Sequence, residues 1–208
     1  DENMVLINTS VSRDYVEPST ASVVHGSLGL PDTCQNFDVG NACLAFVSGI
    51  DIAARMIEYG EVDFALIVDG EVSNEIIDRT VERLNSPDAT VAQFHQEFAS
   101  LTLGSGAAAM VLGHDSLVTS GHRYVGSVTR AATEFSHLCR GSMDRMVTDT
   151  RTLLHEGLKL AATTFQAAGS ALGGPGASQE NRIIYFDLDR FDIKPEYNSI
   201  LQAHARYL

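Results

Sequence analysis

The stretch "NFDVGNACLAFVSGIDIAARMIEYG", residues 36–60, determines how the chain is organised. A short apolar run at residues 37–39 is followed by a glycine and then by apolar residues at helical spacing. The pattern predicts a strand over residues 37–39 and a helix over residues 42–59, which Gly60 ends. Cys43 therefore stands where a strand meets a helix, with small residues on both sides.

Elsewhere, apolar runs of strand length alternate with amphipathic segments. The continuous apolar run at residues 63–69 is typical of a strand that is covered on both faces. The alternation favours an α/β fold whose central strands are mostly parallel. The predicted strands are residues 4–8, 37–39, 63–69, 104–115, 123–130 and 182–188. The predicted helices are residues 20–28, capped by Ser19 or Thr20, then 42–59, 75–84 and 148–172, with a partly helical loop at residues 86–98.

Composition narrows the class of protein. The chain has 208 residues, 44% of them apolar, which is enough to build a core and argues against disorder. Its net charge of −13 makes nucleic acid a poor partner, because binding phosphates requires basic patches. Three cysteines in no metal-binding spacing, together with no signal peptide and no membrane-spanning run, predict a cytoplasmic protein. The opening "DENMVLINTS" lacks an initiator Met, which predicts a start inside a larger fold or a partial gene.

Cys43 occupies a position that favours chemistry. Backbone N–H groups and the positive end of the helix dipole lie at the start of a helix, and both favour a thiolate over a thiol. The same N–H groups can stabilise the oxyanion of an acyl intermediate. The alternative is a buried free cysteine that only fills space. Cys43 alone does not decide between these readings.

Several segments together carry a resemblance to a known family. They are "VLINTSVSRDYVEPSTASVVHGSLGLP", "NACLAFVSGIDIAARMIEYGEVDFALIVDGE", "LTLGSGAAAMVLG" and "TRAATEFSHLCRGSMDRMVTDT". Their order and content resemble the thiolase superfamily, specifically the ketoacyl synthase III-like condensing enzymes. Within these, they are similar to the acyl-CoA condensing branch of bacterial long-chain olefin biosynthesis. The resemblance spans roughly residues 4–191.

The resemblance implies an architecture. The expected fold is a layered α/β/α/β/α arrangement that is incomplete at both ends. Residues 1–120 are expected to form the nucleophile-bearing N-terminal half without its first segment, and residues 121–208 a partial C-terminal half. The family likeness also implies a homodimer whose interface uses residues 36–39.

The resemblance further implies a mechanism. Cys43 would take an acyl group from a coenzyme A or acyl carrier protein thioester, with no cofactor or metal. A Claisen condensation with a second acyl unit would follow. Glu17, in "DYVEPST", stands where the olefin branch has a glutamate that removes the α-proton in the neighbouring subunit. The alternative for Glu17 is a solvated loop carboxylate.

One region departs from the family pattern. Family members carry a His after the strand that "LDRFDI" represents here, and an Asn further on, whereas Lys194 stands roughly at the His position. His204 falls too late to replace it. We therefore expect this chain to accept an acyl group at Cys43 but to condense poorly, since removing one oxyanion donor typically costs about a hundred- to a thousand-fold in rate. The competing hypothesis is a truncated or non-catalytic thiolase-fold protein that binds acyl groups or a partner subunit without turnover.

Other residues give weaker signals with two readings each. Asp69 and Glu71, at the end of a predicted strand, are either a carboxylate dyad or a solvated turn. Arg140 either contacts a coenzyme A phosphate or pairs with Asp144. Four aromatic residues either line an acyl channel or pack in the core: Phe46, Phe94, Phe98 and Phe135.

Overall fold

The computed structural model describes residues 3–119, 122–142 and 144–171. The chain divides into two compact units. Within the described residues, the first unit comprises residues 3–119, 122–124, 133–142 and 144–154, and the second comprises residues 125–132 and 155–171. Both candidate residues, Cys43 and Glu17, belong to the first unit.

A four-stranded mixed sheet forms the centre of the first unit. Its strands are β1 (Met4–Asn8), β2 (Gln35–Asp38), β3 (Phe64–Glu71) and β4 (Gly106–Gly113), in the spatial order β2-β1-β3-β4. Strand β1 pairs in parallel with both β2 and β3, and β4 runs antiparallel to β3. The predicted α/β class with parallel central strands is therefore confirmed.

Two helices cover opposite faces of this sheet. Helix α1 (Thr20–Leu28) begins at Ser19, whose hydroxyl accepts the Ser22 N–H, and ends at Gly29, which adopts a left-handed φ of 61°. Helix α2 (Ala45–Glu58) follows a three-residue 3₁₀ turn, Ala42–Leu44. Successive strand residues point to opposite faces, so each helix meets a separate set of side chains.

The core has two parts that follow this alternation. Val5, Ile7, Ala65 and Ile67 pack against α2, on one face of the sheet. On the other face, Leu6 packs with residues of α1 and of the segment that leads into β2. The sheet is thus covered on both faces around β1, as the apolar runs of β1 and β3 predict.

The remaining elements lie outside this sheet, some of them between β3 and β4 in the chain and the others after β4. They are helices α3 (Asn74–Leu84) and α4 (Val91–Glu97), 3₁₀ turns at Phe98–Thr102 and Thr133–Phe135, strands β5 (Cys139–Gly141) and β6 (Met146–Thr148), and helix α5 (Thr150–Ala171). Strands β5 and β6 form an antiparallel two-stranded sheet. No helix in the described ranges is long and apolar enough to cross a membrane.

One predicted strand is absent from the structure, and one hairpin has no counterpart among the predictions. Residues 123–130 form no strand, because Gly126 interrupts the segment with a φ of 142° and Val125 is exposed rather than packed. The β5–β6 hairpin was not predicted, since each strand is only three residues long. The predicted strand at residues 182–188 lies outside the described residues, and the predicted domain boundary after residue 120 stays a prediction.

Candidate active site

A group of polar side chains lies where the three parallel strands end. We call it the edge cluster, and its members are Asn8, Thr9, Ser10, Ser12, Asp38, Asp69 and Glu71. Asn8, Thr9 and Ser10 are buried although they are polar. Ligands of open α/β sheets bind beyond the carboxyl ends of the strands, which is where this cluster lies.

Cys43 lies five residues after Asp38, the last residue of β2. It is exposed and lies in the 3₁₀ turn between β2 and α2. The predicted helix start is therefore displaced: the α-helix begins at Ala45, because Ala42 has a φ of 45° that an α-helix cannot accommodate. A non-glycine residue in this region carries strain of about 1–3 kcal/mol, and such residues cluster at functional sites.

Hydrogen bonds and close packing fix the Cys43 turn. The Asn41 amide donates to Ser48 Oγ at 3.0 Å, and the Ser48 hydroxyl donates to the Leu44 carbonyl at 3.0 Å. Further along α2, a Cβ on Gly49 would lie only 2.9 Å from Thr9 Cγ2. The glycine therefore lets the helix that follows Cys43 lie directly against the edge cluster.

Glu17 lies in the loop that joins β1 to α1, with residues 13–18 exposed. The loop leaves β1 beside β2, so Glu17 and Cys43 both follow the carboxyl ends of neighbouring parallel strands. No hydrogen bond joins the two side chains within the described part of one chain. The structure thus places both predicted residues in connections at one edge of the sheet without bringing them into contact.

Glu71 and Asp38 hold the two ends of the Glu17 loop. Glu71 accepts the N–H of Val11 at 2.7 Å and the N–H of Ser12 at 3.0 Å. Asp38 accepts the N–H of Thr20 at 3.0 Å and that of Ala21 at 2.8 Å. Sequence reasoning missed both anchors. The polar residues at the ends of successive strands were the available signal.

The other two thiols differ from that of Cys43. Cys34 is buried, and burial raises the pKa of its thiol. Cys139 is exposed, with its sulfur 3.4 Å from Thr148 Oγ1 in the β5–β6 hairpin. Among the three cysteines, only Cys43 combines exposure with the start of a helix.

Comparison with known proteins agrees with this arrangement. Residues 37–132 match the family model described as 3-oxoacyl-[acyl-carrier-protein] synthase III. The acyl-CoA:acyl-CoA alkyltransferase of Xanthomonas campestris pv. campestris is 62% identical over 169 residues, which are 81% of this chain and 50% of that protein. The protein of the same name from Shewanella oneidensis is 34% identical over 77% of this chain and 49% of its own length.

A solved structure agrees as well. A variant of Xanthomonas campestris OleA with bound lauric acid and lauroyl-CoA has a TM-score of 0.80 and 61% identity. The match covers 83% of this chain and 51% of that one. The chain belongs to the ketoacyl synthase III-like family of the thiolase superfamily. It spans about half the length of the relatives that it matches.

Two of the weaker signals have structural answers within this family fold. Glu71 is engaged by loop groups instead of lying in a solvated turn, and Asp69 accepts the Thr9 hydroxyl at 2.7 Å. No ion pair joins Arg140 to Asp144, both of which the structure describes. Asp144 instead accepts the Ser142 hydroxyl at 2.8 Å.

The four phenylalanines do not form one group. Phe46 packs against the core beneath α2. Phe94 and Phe98 are exposed and contact each other, with ring centroids 5.7 Å apart. An apolar depression of 190 Å³ lies next to β3, and its walls are Met4, Phe64, Ala65, Leu66 and Val111. None of these four phenylalanines is among its wall residues. The acyl channel therefore stays a prediction, and so does a role for Lys194, which lies outside the described residues.

A second polar group lies away from the edge cluster and was also missed. Glu97, at the end of α4, is fully buried. It accepts from Arg83 Nε at 2.8 Å and from an Arg145 guanidinium nitrogen at 2.9 Å. Gln93 donates at 3.3 Å to the Glu97 oxygen that Arg145 contacts, and Arg83 also donates to the Thr80 hydroxyl. We call these residues (Thr80, Arg83, Gln93, Glu97 and Arg145) the Glu97 cluster.

Proposed function

We propose that this chain is the nucleophile-bearing part of a condensing acyltransferase. In the first step, the Cys43 thiolate attacks the carbonyl carbon of an acyl thioester. The carbon–sulfur bond to coenzyme A or to the carrier protein breaks, and the departing thiolate takes up a proton. The observation that carries this proposal is the exposure of Cys43 in the turn before α2, beside the edge cluster.

The local backbone suits such an attack. The N–H groups of the first turn of a helix can donate to the oxyanion that forms on the thioester oxygen when no carbonyl accepts from them. In this turn the Leu44 and Ala45 N–H groups already donate to the Asn41 and Ala42 carbonyls, so the proposal relies on the N–H of Cys43 itself. The strained Ala42 directs the chain away from β2 before the helix begins, which presents the Cys43 side chain at the surface of this unit.

In the second step, Glu17 of a partner subunit removes the α-proton of a second acyl thioester. The resulting carbanion attacks the acyl-Cys43 carbonyl, the bond to the Cys43 sulfur breaks, and a β-ketoacyl thioester leaves. The position of β2 at the edge of the sheet, within the described residues, supports a homodimer in which the strand pairs with its copy. A cytoplasmic enzyme of fatty-acid, olefin or related lipid synthesis is the matching cellular role.

The sequence near Lys194 favours a second candidate function. A thiolase-fold protein without the family His would acylate Cys43 and hold the acyl group for a partner subunit. A lysine is less preorganised than an imidazole, because its charge sits on a long flexible stem. The two candidates share the first step and differ in the second, so one experiment can separate them.

The test is a single-turnover reaction with myristoyl-CoA. Intact-protein mass spectrometry would detect acylation, peptide mapping would locate it, and product analysis would measure the β-ketoacyl thioester. We expect acylation on Cys43, its loss in Cys43→Ala and its retention in the matched control Cys139→Ala. We expect slow condensation for this chain.

Each outcome assigns the function. Acylation without product supports the acyl-holding candidate. Product at the rate of a full-length relative supports the condensing enzyme and contradicts the expected defect around Lys194. Acylation that persists in Cys43→Ala would contradict both candidates.

A further inference from the structure

Among the described residues, the hydrogen bonds that fix the loop carrying Glu17 lie at its ends. Its middle residues, 13–18, are exposed, and Val16 has 94% of its surface accessible. A glutamate on a loose loop would reach an α-carbon in many orientations, and a misplacement of about 1 Å can cost about a hundredfold in rate. A general base at this position therefore needs anchors.

The first anchor is Glu71, on the last residue of β3. One carboxylate oxygen accepts the Val11 N–H, and the other accepts both the N–H and the hydroxyl of Ser12, at 3.0 and 2.7 Å. Ser12 Oγ in turn accepts the N–H of Val72 at 3.0 Å. Both oxygens of Glu71 therefore bond the loop, and no Lys, Arg or His within the described residues pairs with them.

The second anchor is Asp38, on the last residue of β2. One oxygen accepts the Thr20 N–H, and the other accepts the Ala21 N–H and the side-chain amide of Asn8, at 3.2 Å. Asp38 thus joins the end of β2, the end of β1 and the first turn of α1. The two carboxylates fasten the loop on either side of Glu17.

We propose that Glu71 and Asp38 are positioning residues that hold residues 13–18 in one arrangement and so direct Glu17 toward its substrate. This rests on the proposed function, in which Glu17 is the general base. Glu71 is the more informative of the two anchors, because its hydrogen bonds go to the loop, whereas Asp38 also stabilises the start of α1.

The experiment uses the full chain with Glu17→Cys as its parent. It measures how fast a bismaleimide reagent links the thiol at that position to Cys43 of a second subunit. Glu71→Gln is added to the parent, because an amide keeps the shape of the side chain but can accept with only one atom. Glu75→Gln, an exposed glutamate in the first turn of α3, is the matched control. Ser12→Ala, which keeps Glu71 but removes the hydroxyl, is the milder second variant.

We expect Glu71→Gln to slow cross-linking about tenfold, the factor that corresponds to one lost charge-assisted hydrogen bond. Ser12→Ala should slow it less and Glu75→Gln not at all. Acylation of Cys43 by myristoyl-CoA, measured with residue 17 unchanged, should be slowed less by Glu71→Gln than cross-linking is, because a positioning role for Glu17 affects mainly the second step. An unchanged cross-linking rate in Glu71→Gln would overturn the inference and leave the proposed function intact.

Failure of the parent to cross-link would instead contradict the proposed placement of Glu17 in a partner's site. In that case, amide hydrogen exchange of residues 13–17 tests the positioning role by itself. Exchange about tenfold faster in Glu71→Gln than in Glu75→Gln supports it. Equal exchange in the two variants overturns it.

Discussion

The edge cluster and the Glu97 cluster lie in the same compact unit and use their carboxylates differently. In the edge cluster, Glu71 and Asp38 accept mainly from backbone N–H groups of the Glu17 loop and of α1. In the Glu97 cluster, the carboxylate accepts from the guanidinium groups of Arg83 and Arg145. The edge cluster fixes the loop between β1 and α1, whereas the Glu97 cluster joins α3, α4 and the β5–β6 hairpin.

The difference follows from burial and charge. Glu97 is fully buried, and an unpaired carboxylate there would be costly, so two cations compensate its charge. Arg145 precedes β6, so the ion pair attaches the β5–β6 hairpin to α3 and α4. The edge cluster instead lies where the parallel strands end, close along the chain to the exposed Cys43. Carboxylates therefore join separate elements in the Glu97 cluster and fix the shape of a loop in the edge cluster.

The largest effect is expected from removing the Glu97 carboxylate. Glu97→Ala leaves two guanidinium groups without their buried partner, and breaking a buried pair costs about 3–5 kcal/mol of unfolding free energy. We expect about 3 kcal/mol, since both arginines are partly exposed and can regain water. Chemical denaturation measures the change. Glu82→Ala, which breaks the exposed pair with Arg79, is the matched control and should cost less than about 1 kcal/mol.

This prediction also tests the separation of the two clusters. Amide exchange of the Glu17 loop should be equal in Glu97→Ala and Glu82→Ala under native conditions. If Glu97→Ala lowered the unfolding free energy no more than Glu82→Ala does, the ion pairs of Glu97 would not stabilise the fold. Faster exchange in the loop would show that the clusters are coupled.

The second effect concerns the packing beneath the edge cluster. A Cβ on Gly49 would lie 2.9 Å from Thr9 Cγ2 and 3.2 Å from Ile67 Cγ2, so Gly49→Ala must displace α2 or the sheet. Overpacking costs about 1–3 kcal/mol, from which the better helix propensity of alanine recovers up to about 1 kcal/mol. The matched control is Gly26→Ala in α1, where a Cβ would meet nothing within 4 Å.

Thermal and chemical unfolding should give opposite signs for the two glycines. Gly49→Ala should lower the unfolding free energy, and Gly26→Ala should raise it by up to about 1 kcal/mol. Gly49→Ala should also slow alkylation of Cys43, because the turn before α2 moves with the helix. Equal stabilisation by both substitutions would contradict the close approach of α2 to Thr9.

The third effect is a pH dependence that belongs to the Glu97 cluster. Burial raises the pKa of the Glu97 carboxyl, but the hydrogen bonds from Arg83 and Gln93 and the charges of Arg83 and Arg145 outweigh it, so this pKa lies below its ordinary value of 4.5. A lowered pKa in the folded state contributes stability that is present above the unfolded pKa and is lost as the pH falls through the folded pKa.

The window for this effect therefore opens near pH 4.5 and extends below it. Between about pH 5 and about pH 3, the parent chain should lose more unfolding free energy than Glu97→Gln, which has no carboxyl to protonate at that position. Denaturation curves at several pH values measure the difference. Parallel pH profiles for the two proteins would contradict the ion pairing of Glu97.

Local signals explain which parts of the structure the sequence predicts well. The bounds of β1 match residues 4–8, and α1 begins and ends at its predicted Ser19 cap and Gly29. Both depend on residues that are adjacent in the chain. The position of Cys43 between a strand and a helix is local in the same way, although the strained Ala42 moved the start of α2 to Ala45.

Long-range pairings explain what was missed. Glu71 bonds Val11 and Ser12 across about sixty residues, and no periodicity or capping motif records such a pairing. Strands β5 and β6 are three residues each, so their alternation is too short to recognise. The Glu97 cluster similarly draws on residues from α3, α4 and the hairpin. Roles that depend on three-dimensional neighbours required the structure.

The smallest effect is expected from relieving the backbone strain at Ala42, next to Cys43. Among the described residues, Ala42 is the one non-glycine with a positive φ, and it adjoins Cys43, whereas the Glu97 cluster contains none. Ala42→Gly should relieve about 1 kcal/mol or more of strain and lose about 0.4–1 kcal/mol through the more flexible unfolded chain. The net rise in unfolding free energy should therefore stay below about 1 kcal/mol.

Ala45→Gly, at the buried first residue of α2, is the matched control and should lose about 1 kcal/mol or more of unfolding free energy. A loss in Ala42→Gly as large as that in Ala45→Gly would show that the Cys43 turn stores no strain. Ala42→Gly should also change the rate at which iodoacetamide alkylates Cys43, because a more flexible turn holds the thiol less firmly. The alkylation rate of Cys139 in the same variant should not change.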